Sequence, residues 1–322
     1  MGKNRPGTNG SLHQVTMQQT ILTPHPPFDF FLSAAIFSGG EPDIRTFRDG
    51  IFRQVLDTGN SLVLADVTSS GTTEKPELNV TLRSDRTLGR NEKLLAGTQI
   101  ATIFSITDDL NPFYRDVAGD PVLSDLTARL RGVHAPVTPT VFEALTDSVI
   151  EQQISLIAAH SIENRLIRAV GKQLAFDGTV RYCYPDPEIL ARTTDTAFRA
   201  CGLTIRKGEY IRDVSRLILA GDLDVEGFRQ FPDTESIIGE LVKIRGIGRW
   251  TAELTILRGL HRPDAFPADD VGVRRFISQY YLGGRKISAR EARTFAERWG
   301  AWKGFAAYYL EVADLLGIRP AV

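Results

Sequence analysis

At 322 residues the chain is longer than one ordinary hydrophobic core requires, and at roughly 150 residues per domain it predicts two or more domains. Hydrophobic residues make up 42% and charged residues 24% of the chain, values typical of folded proteins, which excludes a largely disordered protein. The net charge of −1 excludes a uniformly basic surface, so any contact with nucleic acid must come from a local patch.

The termini and cysteines give no sign of secretion, of a metal or of a cofactor. Cys183 and Cys201 are far apart and have no histidines at ligand spacing, which argues against a zinc site or an iron–sulfur cluster. Two thiols in a chain of this length are typical of the reducing cytoplasm. Residues 1–20 are polar, lack the apolar segment of a secretory signal and are predicted to form a flexible tail. No apolar run reaches membrane-spanning length.

Residues 21–112 are predicted to form an N-terminal α+β domain with an antiparallel sheet. Short stretches rich in β-branched and aromatic residues, separated by Gly, Asn, Ser or Pro, predict strands at 28–38, 50–56, 61–69 and 77–83. Apolar residues between Leu94 and Phe104 predict a helix that covers one face of the sheet. The boundary is predicted near Asn111-Pro112.

Residues 113–322 are predicted to be mainly helical, and helical spacing of apolar residues is clear from Pro121 onward. Apolar residues at helical spacing predict helices at 138–170, 193–219, 233–243, 249–260, 270–281 and 288–316, the last with an internal break. Connections are mostly short and contain Gly or Pro, as helical domains prefer.

A glycine turn between two of these helices is the most informative motif. Gly246 and Gly248 flank Ile247, which permits a tight turn in which Ile247 fills the helix junction. Backbone N–H groups at the start of the second helix are suited to bind phosphate. Three basic residues surround the turn: Lys243, Arg245 and Arg249. This combination predicts a sequence-independent grip on a DNA backbone, whereas a glycine turn alone predicts only an ordinary helical hairpin.

Residues 241–276 resemble the helix-hairpin-helix and catalytic loop of the 3-methyladenine DNA glycosylase II family, part of the helix-hairpin-helix DNA glycosylase superfamily. The resemblance extends back to residues 148–155, similar to the loop that enters the base stack, and forward to residues 296–299. It covers about residues 112–322. It implies an α+β N-terminal domain followed by two helical subdomains, with the site in the cleft between them.

The resemblance places the catalytic carboxylate on Asp270. A carboxylate at a helix N-terminus is held ionised, and an ionised group stabilises the positive charge that develops on the deoxyribose as the glycosidic bond breaks. The simpler alternative is that Asp269 and Asp270 only cap the helix, a role for which Asp269 is the better candidate. A two-metal nuclease site requires further carboxylates, and the local sequence adds only Asp264.

The resemblance also assigns residues that bind the extruded base. Trp250 occupies the position where lyase members of the superfamily carry a nucleophilic Lys, so we expect no lyase step, and its ring can stack on an electron-poor base. Leu254 and Glu311 stand where relatives carry aromatic residues, and Tyr308 shares a helix face with Glu311. The alternatives are a Trp250 that fills the core and a Glu311 that faces solvent.

Contacts with DNA are predicted on two segments. Gln153 aligns with the residue that fills the vacated stack, and Gln152 precedes it, although two glutamines can equally end a helix at the surface. The full set of predicted DNA-binding residues is Gln152, Gln153, Arg245, Gly246, Gly248, Arg249 and Thr251.

The sequence thus predicts a monofunctional glycosylase that acts on alkylated bases in double-stranded DNA. These bases are expected to be purines. It is expected to be a cytoplasmic monomer without metal or cofactor, and no protein partner is predicted. One alternative is a related glycosylase for deaminated or oxidised bases, with Glu311 binding or protonating the base. The other is a non-catalytic helix-hairpin-helix DNA-binding protein. Asp270 argues against it, as does the segment 148–155 that resembles the loop entering the base stack, called the insertion loop below.

Overall fold

A computed structural model describes residues 16–319. The strands are β1 Thr16–Leu22, β2 Arg45–Arg48, β3 Ile51–Asp57, β4 Leu62–Ser69, β5 Leu78–Ser84, β6 Lys172–Phe176 and β7 Thr179–Cys183. The α-helices are α1 Phe30–Ala34, α2 Arg90–Ile103, α3 Asn111–Asp116, α4 Pro121–Arg129, α5 Val141–Glu151, α6 Leu156–Val170, α7 Pro187–Arg192, α8 Asp195–Cys201, α9 Ile205–Ala220, α10 Thr234–Leu241, α11 Arg249–Thr255, α12 Val271–Tyr281, α13 Ala289–Ala296 and α14 Lys303–Leu315. No helix in this range is long and apolar enough to cross a membrane.

The N-terminal part is an antiparallel sheet with the strand order β1-β5-β4-β3-β2. Helix α2 buries Ala96, Ile100 and Ile103 in the core of this sheet, together with Phe52 and Val67 from the strands. The α+β class predicted from the sequence is therefore confirmed, with the sheet first and the helices after it.

The helices that follow form two hydrophobic cores. One core is built from α5 to α11 and contains Leu145, Ile237 and Ile247. The other joins α3 and α4 to α12, α13 and α14, so that residues around Leu126 pack with residues around Tyr309. The segment between α11 and α12 runs from the first core to the second. This path places the N-terminus of α12 beside α11.

The predicted strand at residues 28–38 is wrong. Its aromatic residues favour a strand, but the structure forms α1 there, followed by a 3₁₀ turn at Ala35–Phe37. The side chain of Asp29 accepts a hydrogen bond of 2.9 Å from the Leu32 N–H and so caps the helix. This local cap outweighs the weak strand preference of the aromatic residues.

Four strands were not predicted: β1, β2, β6 and β7. The predicted tail at residues 1–20 is wrong for residues 16–20, because Thr16–Leu22 pairs with β5 at the sheet edge; residues 1–15 lie outside the described range. Strand β2 forms a hairpin with β3, and β6 pairs with β7 within the otherwise helical region. Leu174 and Cys183 of that second hairpin pack against Val55 and Leu64 of the large sheet, which explains why strands persist there.

Candidate active site

The turn between α10 and α11 has the tight geometry that the glycine motif predicts. Gly246 has φ +88°, in the left-handed region, and a Cβ there would lie 2.3 Å from the ring of Tyr210. Ile247 is buried and fills the junction between the two helices. Asp233 is the N-cap of α10, and its carboxylate accepts a hydrogen bond of 2.7 Å from the Ser236 N–H.

Gly248, unlike Gly246, does not need the conformational freedom of a glycine. Its φ of −93° is accessible to any residue, and a Cβ there would meet no atom within 4 Å. A side chain at this position would therefore fit without strain, so the tight turn depends on Gly246 and not on Gly248. Within residues 16–319, the N–H groups of Gly246 and Gly248 have no hydrogen-bond acceptor, so both remain available as donors.

The basic residues around the turn do not form the free positive patch that was predicted. Arg245 donates to Glu209 at 2.8 Å and to Asp213 at 3.2 Å. Arg249 pairs with Glu235 and with the buried Glu253, and Lys243 pairs with Glu240. Because each cation already has an acidic partner, the backbone N–H groups are the stronger candidates for phosphate contact at this turn.

The loop after α5 separates the two predicted glutamines. The Gln152 amide donates to the Gly246 carbonyl at 2.9 Å and to Thr251 Oγ1 at 3.0 Å, which ties the loop to the hairpin. Both Gln152 and Thr251 thus have internal partners, and the contact of their side chains with DNA stays a prediction. Gln153 is exposed, with a left-handed φ of 58°, and projects at the tip of the loop.

Asp270 is the N-cap of α12, and both of its carboxylate oxygens have neutral donors. Oδ1 accepts from the Val273 N–H at 3.1 Å, and Oδ2 accepts from the indole Nε1 of Trp250 at 3.2 Å. These two hydrogen bonds fix the orientation of the carboxylate. A Cβ at Gly272 would lie 3.0 Å from Asp270 Oδ1, so this glycine leaves room for the carboxylate.

Asp269 is exposed and caps nothing, so its suggested capping role is wrong. Its neighbour Asp270 holds both the capping position and the place beside Trp250.

No group of three or more His, Cys, Asp or Glu among residues 16–319 is arranged to hold a metal ion.

The residues predicted to bind the base differ in how exposed they are. Trp250 is only partly buried, so it does not serve merely as core filling, whereas Leu254 is buried. Glu311 is half-buried and lies within electrostatic reach of Asp270. Burial raises the pKa of Glu311; Arg258 opposes the rise, and Asp270 adds to it. Glu311 therefore does not point freely into solvent.

Tyr308 has an unusual environment for a buried tyrosine. Its side chain is 9% exposed, and its hydroxyl has no hydrogen-bond partner within the described part of the chain. Burial, together with the charge of Glu311, raises the pKa of the Tyr308 hydroxyl, which keeps it protonated and able to donate. A buried polar group without a partner costs about 1–3 kcal/mol, so this hydroxyl is a site at which a bound ligand can supply the missing bond.

Arg258, which was not identified from the sequence, lies two turns beyond Trp250 and pairs with the end of α5. It lies in the π-helical turn Ile256–Leu260 that continues α11, and it donates to Glu151 at 2.5 Å. Burial opposes its charge, but Glu151, Glu311 and Asp270 outweigh burial and raise the pKa of the guanidinium. The spacing of Trp250, Leu254 and Arg258, four residues apart along one helix, was the signal that could have revealed it.

The sequence of the chain is similar to those of known proteins. A family model described as HhH-GPD superfamily base excision DNA repair protein matches residues 146–301. The chain is 35% identical over 209 residues to the DNA-3-methyladenine glycosylase of Bacillus subtilis, covering 64% of this chain and 68% of the relative. It is 29% identical over 190 residues to DNA-3-methyladenine glycosylase 2 of Escherichia coli, covering 58% of this chain and 63% of that relative.

The fold has a solved counterpart over nearly the whole chain. The structure of a 3-methyladenine DNA-glycosylase from Archaeoglobus fulgidus superposes with a TM-score of 0.80 at 24% identity, covering 93% of this chain and 99% of the other. The shared architecture thus includes the N-terminal sheet, beyond the region that the family model matches. The chain belongs to the DNA-3-methyladenine glycosylases of the HhH-GPD superfamily, a superfamily of base excision DNA repair proteins.

Proposed function

We propose that this protein is a monofunctional DNA glycosylase that removes alkylated purine bases from double-stranded DNA. The observation that carries the proposal is the position of Asp270. Its carboxylate caps α12, is oriented by Trp250, and lies on the segment that directly follows the helix-hairpin-helix. The names of the relatives, DNA-3-methyladenine glycosylases, support the choice of alkylated bases.

The proposed reaction is hydrolysis of the N-glycosidic bond of a base that has left the helix stack. As the bond breaks, its electron pair departs with the base and positive charge develops on the deoxyribose. The fixed negative charge of Asp270 stabilises this cation, and water then adds hydroxide to C1′ and releases a proton. An alkylated purine already carries positive charge, so it leaves as a neutral base without a strong general acid.

Trp250 has two roles in this proposal. Its Nε1 holds Asp270 through the hydrogen bond of 3.2 Å, and its partly exposed ring is available to stack on an electron-poor base. Leu254, Tyr308 and Glu311 complete the proposed base site. Gly246 and Gly248 would hold the DNA backbone through their N–H groups, with Arg245 and Arg249 beside them.

The test is base release from a panel of duplexes that carry one lesion each: 7-methylguanine, hypoxanthine, 8-oxoguanine or an undamaged purine. We expect rapid release of the alkylated base and the slowest release of the undamaged purine. Preferred release of hypoxanthine or 8-oxoguanine would support a glycosylase for deaminated or oxidised bases. Binding without release from any duplex would support a non-catalytic DNA-binding protein.

The proposal includes the absence of a lyase step. Trp250 cannot form a Schiff base, and Lys243 and Lys303 are engaged in ion pairs with Glu240 and Glu297. Borohydride added during the reaction is therefore expected to trap no covalent protein–DNA adduct, and the abasic strand should break only after alkali treatment. A trapped adduct would contradict the prediction. Lys207 would then be the first candidate, because burial lowers its pKa and its amine contacts the insertion loop through the Gln152 carbonyl.

The two glutamines of the insertion loop should respond differently to substitution. Gln153→Ala removes the exposed side chain at the loop tip, and we expect single-turnover base release to slow by about tenfold, or about 1.4 kcal/mol, with no change in melting temperature. Gln152→Ala removes the hydrogen bonds to Gly246 and Thr251 and should lower the melting temperature. Equal effects of both variants on release, with no thermal difference, would contradict the assignment of Gln153 as the inserted residue.

We also propose that the protein acts in the cytoplasm as a monomer. The boundary between its N-terminal α+β domain and its helical part is proposed to lie near residue 112. The buried free thiols of Cys183 and Cys201 support a reducing compartment. The packing of α3 with the C-terminal helices supports a division at this point.

A further inference from the structure

A buried connection joins helix α11 to the segment that carries Asp270, in addition to the contact at the candidate active site. The contact at the site is the hydrogen bond of 3.2 Å from Trp250 Nε1 to Asp270 Oδ2. The buried connection begins at Glu253, which lies three residues beyond Trp250 and therefore on the same side of α11. The proposed reaction gives Trp250 a role and gives Glu253 none.

The carboxylate of Glu253 is 1% exposed and is held by two arginines. Arg293 donates to it through both terminal nitrogens, from Nη1 to Oε1 at 2.8 Å and from Nη2 to Oε2 at 3.2 Å. Arg249 adds one hydrogen bond of 2.9 Å from its Nε. Burial raises the pKa of the Glu253 carboxyl, and Arg293 opposes this rise more than Arg249 does. Arg293 is therefore the main partner of this buried carboxylate.

Arg293 also reaches the chain just before Asp270. Its Nη1 donates to the Phe266 carbonyl at 3.4 Å, and its Nη2 lies 4.0 Å from Asp269 Oδ2. The Phe266 side chain is buried in the core formed with α12, α13 and α14, so its carbonyl is a fixed point four residues before Asp270. One guanidinium thus contacts both α11 and the segment 266–269.

Helix α13 holds Arg293 in place. Ser288 and Glu291 cap its first turn reciprocally: the Ser288 hydroxyl accepts from the Glu291 N–H at 3.2 Å, and the Glu291 carboxylate accepts from the Ser288 N–H at 2.8 Å. Ala292 and Ala296 are fully buried and anchor the opposite face of the helix in the core. Arg293 therefore projects from a helix that is fixed at its start and along its buried face.

We propose that Arg293 is a positioning residue for Asp270. Its guanidinium holds Glu253 of α11 and the Phe266 carbonyl at a fixed separation. This separation sets the approach of Trp250 to the Asp270 carboxylate. The inference rests on the proposed function, because the position of Asp270 matters for a reaction at the sugar. A planar guanidinium contacts several acceptors in a set geometry, whereas a lysine presents one flexible ammonium that would keep the charge but not the spacing.

The experiment compares Arg293→Lys with Arg290→Lys, the same substitution at an exposed position one turn earlier in α13. We expect Arg293→Lys to melt close to the unaltered protein, because the buried Glu253 keeps a cationic partner. Single-turnover release of 7-methylguanine should nevertheless slow by about tenfold, because the reacting groups are misplaced. Affinity for the lesion-bearing duplex should change little. Arg290→Lys should leave the rate, the affinity and the melting temperature unchanged.

The indole N–H resonance of Trp250 gives a readout that does not depend on activity. In ¹⁵N-labelled protein without DNA, Asp270→Ala supplies the reference position for an indole that has lost its carboxylate partner. We expect Arg293→Lys to shift the Trp250 resonance toward this reference and Arg290→Lys to leave it in place. Arg293→Met should shift it further and also lower the melting temperature, because Glu253 loses its main partner.

Two results would overturn the positioning role of Arg293. One is a Trp250 resonance that stays in place in Arg293→Lys, and the other is a rate of base release in that variant equal to the rate of the unaltered protein. Failure of the unaltered protein to release a base from any duplex would overturn the proposed function instead. The Trp250 resonance would still decide whether Arg293 sets the approach of Trp250 to Asp270.

Discussion

Asp270→Asn is expected to slow base release by about a thousandfold or more, equivalent to about 4 kcal/mol of transition-state stabilisation. The amide keeps the shape of the carboxylate but lacks its charge, so the developing cation on the sugar loses its counter-charge. Asparagine is as good an N-cap as aspartate, so α12 should still form. We therefore expect unchanged melting temperature and nearly unchanged binding to lesion-bearing DNA.

Asp269→Asn is the matched control for this prediction. Asp269 carries the same charge one residue earlier but is exposed and makes no capping bond. Its substitution should change the rate of release by less than about threefold, a difference below 1 kcal/mol. Single-turnover release from a 7-methylguanine duplex measures both variants. Retention of activity within about tenfold by Asp270→Asn would show that another group supplies the stabilising charge.

Gly246→Val is expected to have the second large effect, because two independent features of the backbone exclude a side chain there. The left-handed φ of +88° strains a β-branched residue, and the new Cβ would lie 2.3 Å from the ring of Tyr210. We expect a loss of about 3 kcal/mol in the free energy of unfolding. Binding to undamaged and lesion-bearing duplexes should fall alike, because backbone contacts carry no sequence information.

Gly248→Ala separates the fold of the hairpin from its contact with DNA. Gly248 has an ordinary φ and open space around its Cβ position, so the substitution should leave the melting temperature nearly unchanged. If the neighbouring N–H groups hold a phosphate, the added methyl group should still weaken DNA binding. Thermal melting and fluorescence anisotropy, measured on both variants, test the two effects separately. Equal melting temperatures for Gly246→Val and the unaltered protein would contradict the strain at Gly246.

The sequence predicted the α+β fold well where one local signal dominated. Helical periodicity and short Gly- or Pro-containing connections were enough for most helices of the C-terminal part. The two missed hairpins, β2-β3 and β6-β7, both turn through an Asp-Gly pair with positive φ, at Asp49-Gly50 and Asp177-Gly178. That pair is a strong hairpin signal. Their flanking strands are short, and β6-β7 depends on packing against the large sheet, which local sequence does not show.

The sequence predicted which residues form the candidate site better than it predicted their hydrogen-bond and ion-pair partners. Asp270, Trp250 and the glycine turn lie on one continuous stretch, so the motif could place them together. The partners of Arg245, Arg249 and Gln152 come from distant segments that only the folded chain brings near. A basic residue in a sequence is therefore a poor guide to free positive charge. Arg258 was missed because its partner Glu151 lies 107 residues away in the sequence.

The pairing of the arginines at the hairpin has a consequence for how the protein searches DNA. Because Arg245 and Arg249 carry their acidic partners with them, they neutralise few phosphates and displace few of the counterions condensed on the duplex. Release of those ions is what makes non-specific binding tight at low salt and weak at high salt. These two arginines should therefore add little to non-specific DNA binding and to its dependence on ionic strength, and contacts with the extruded base would contribute relatively more.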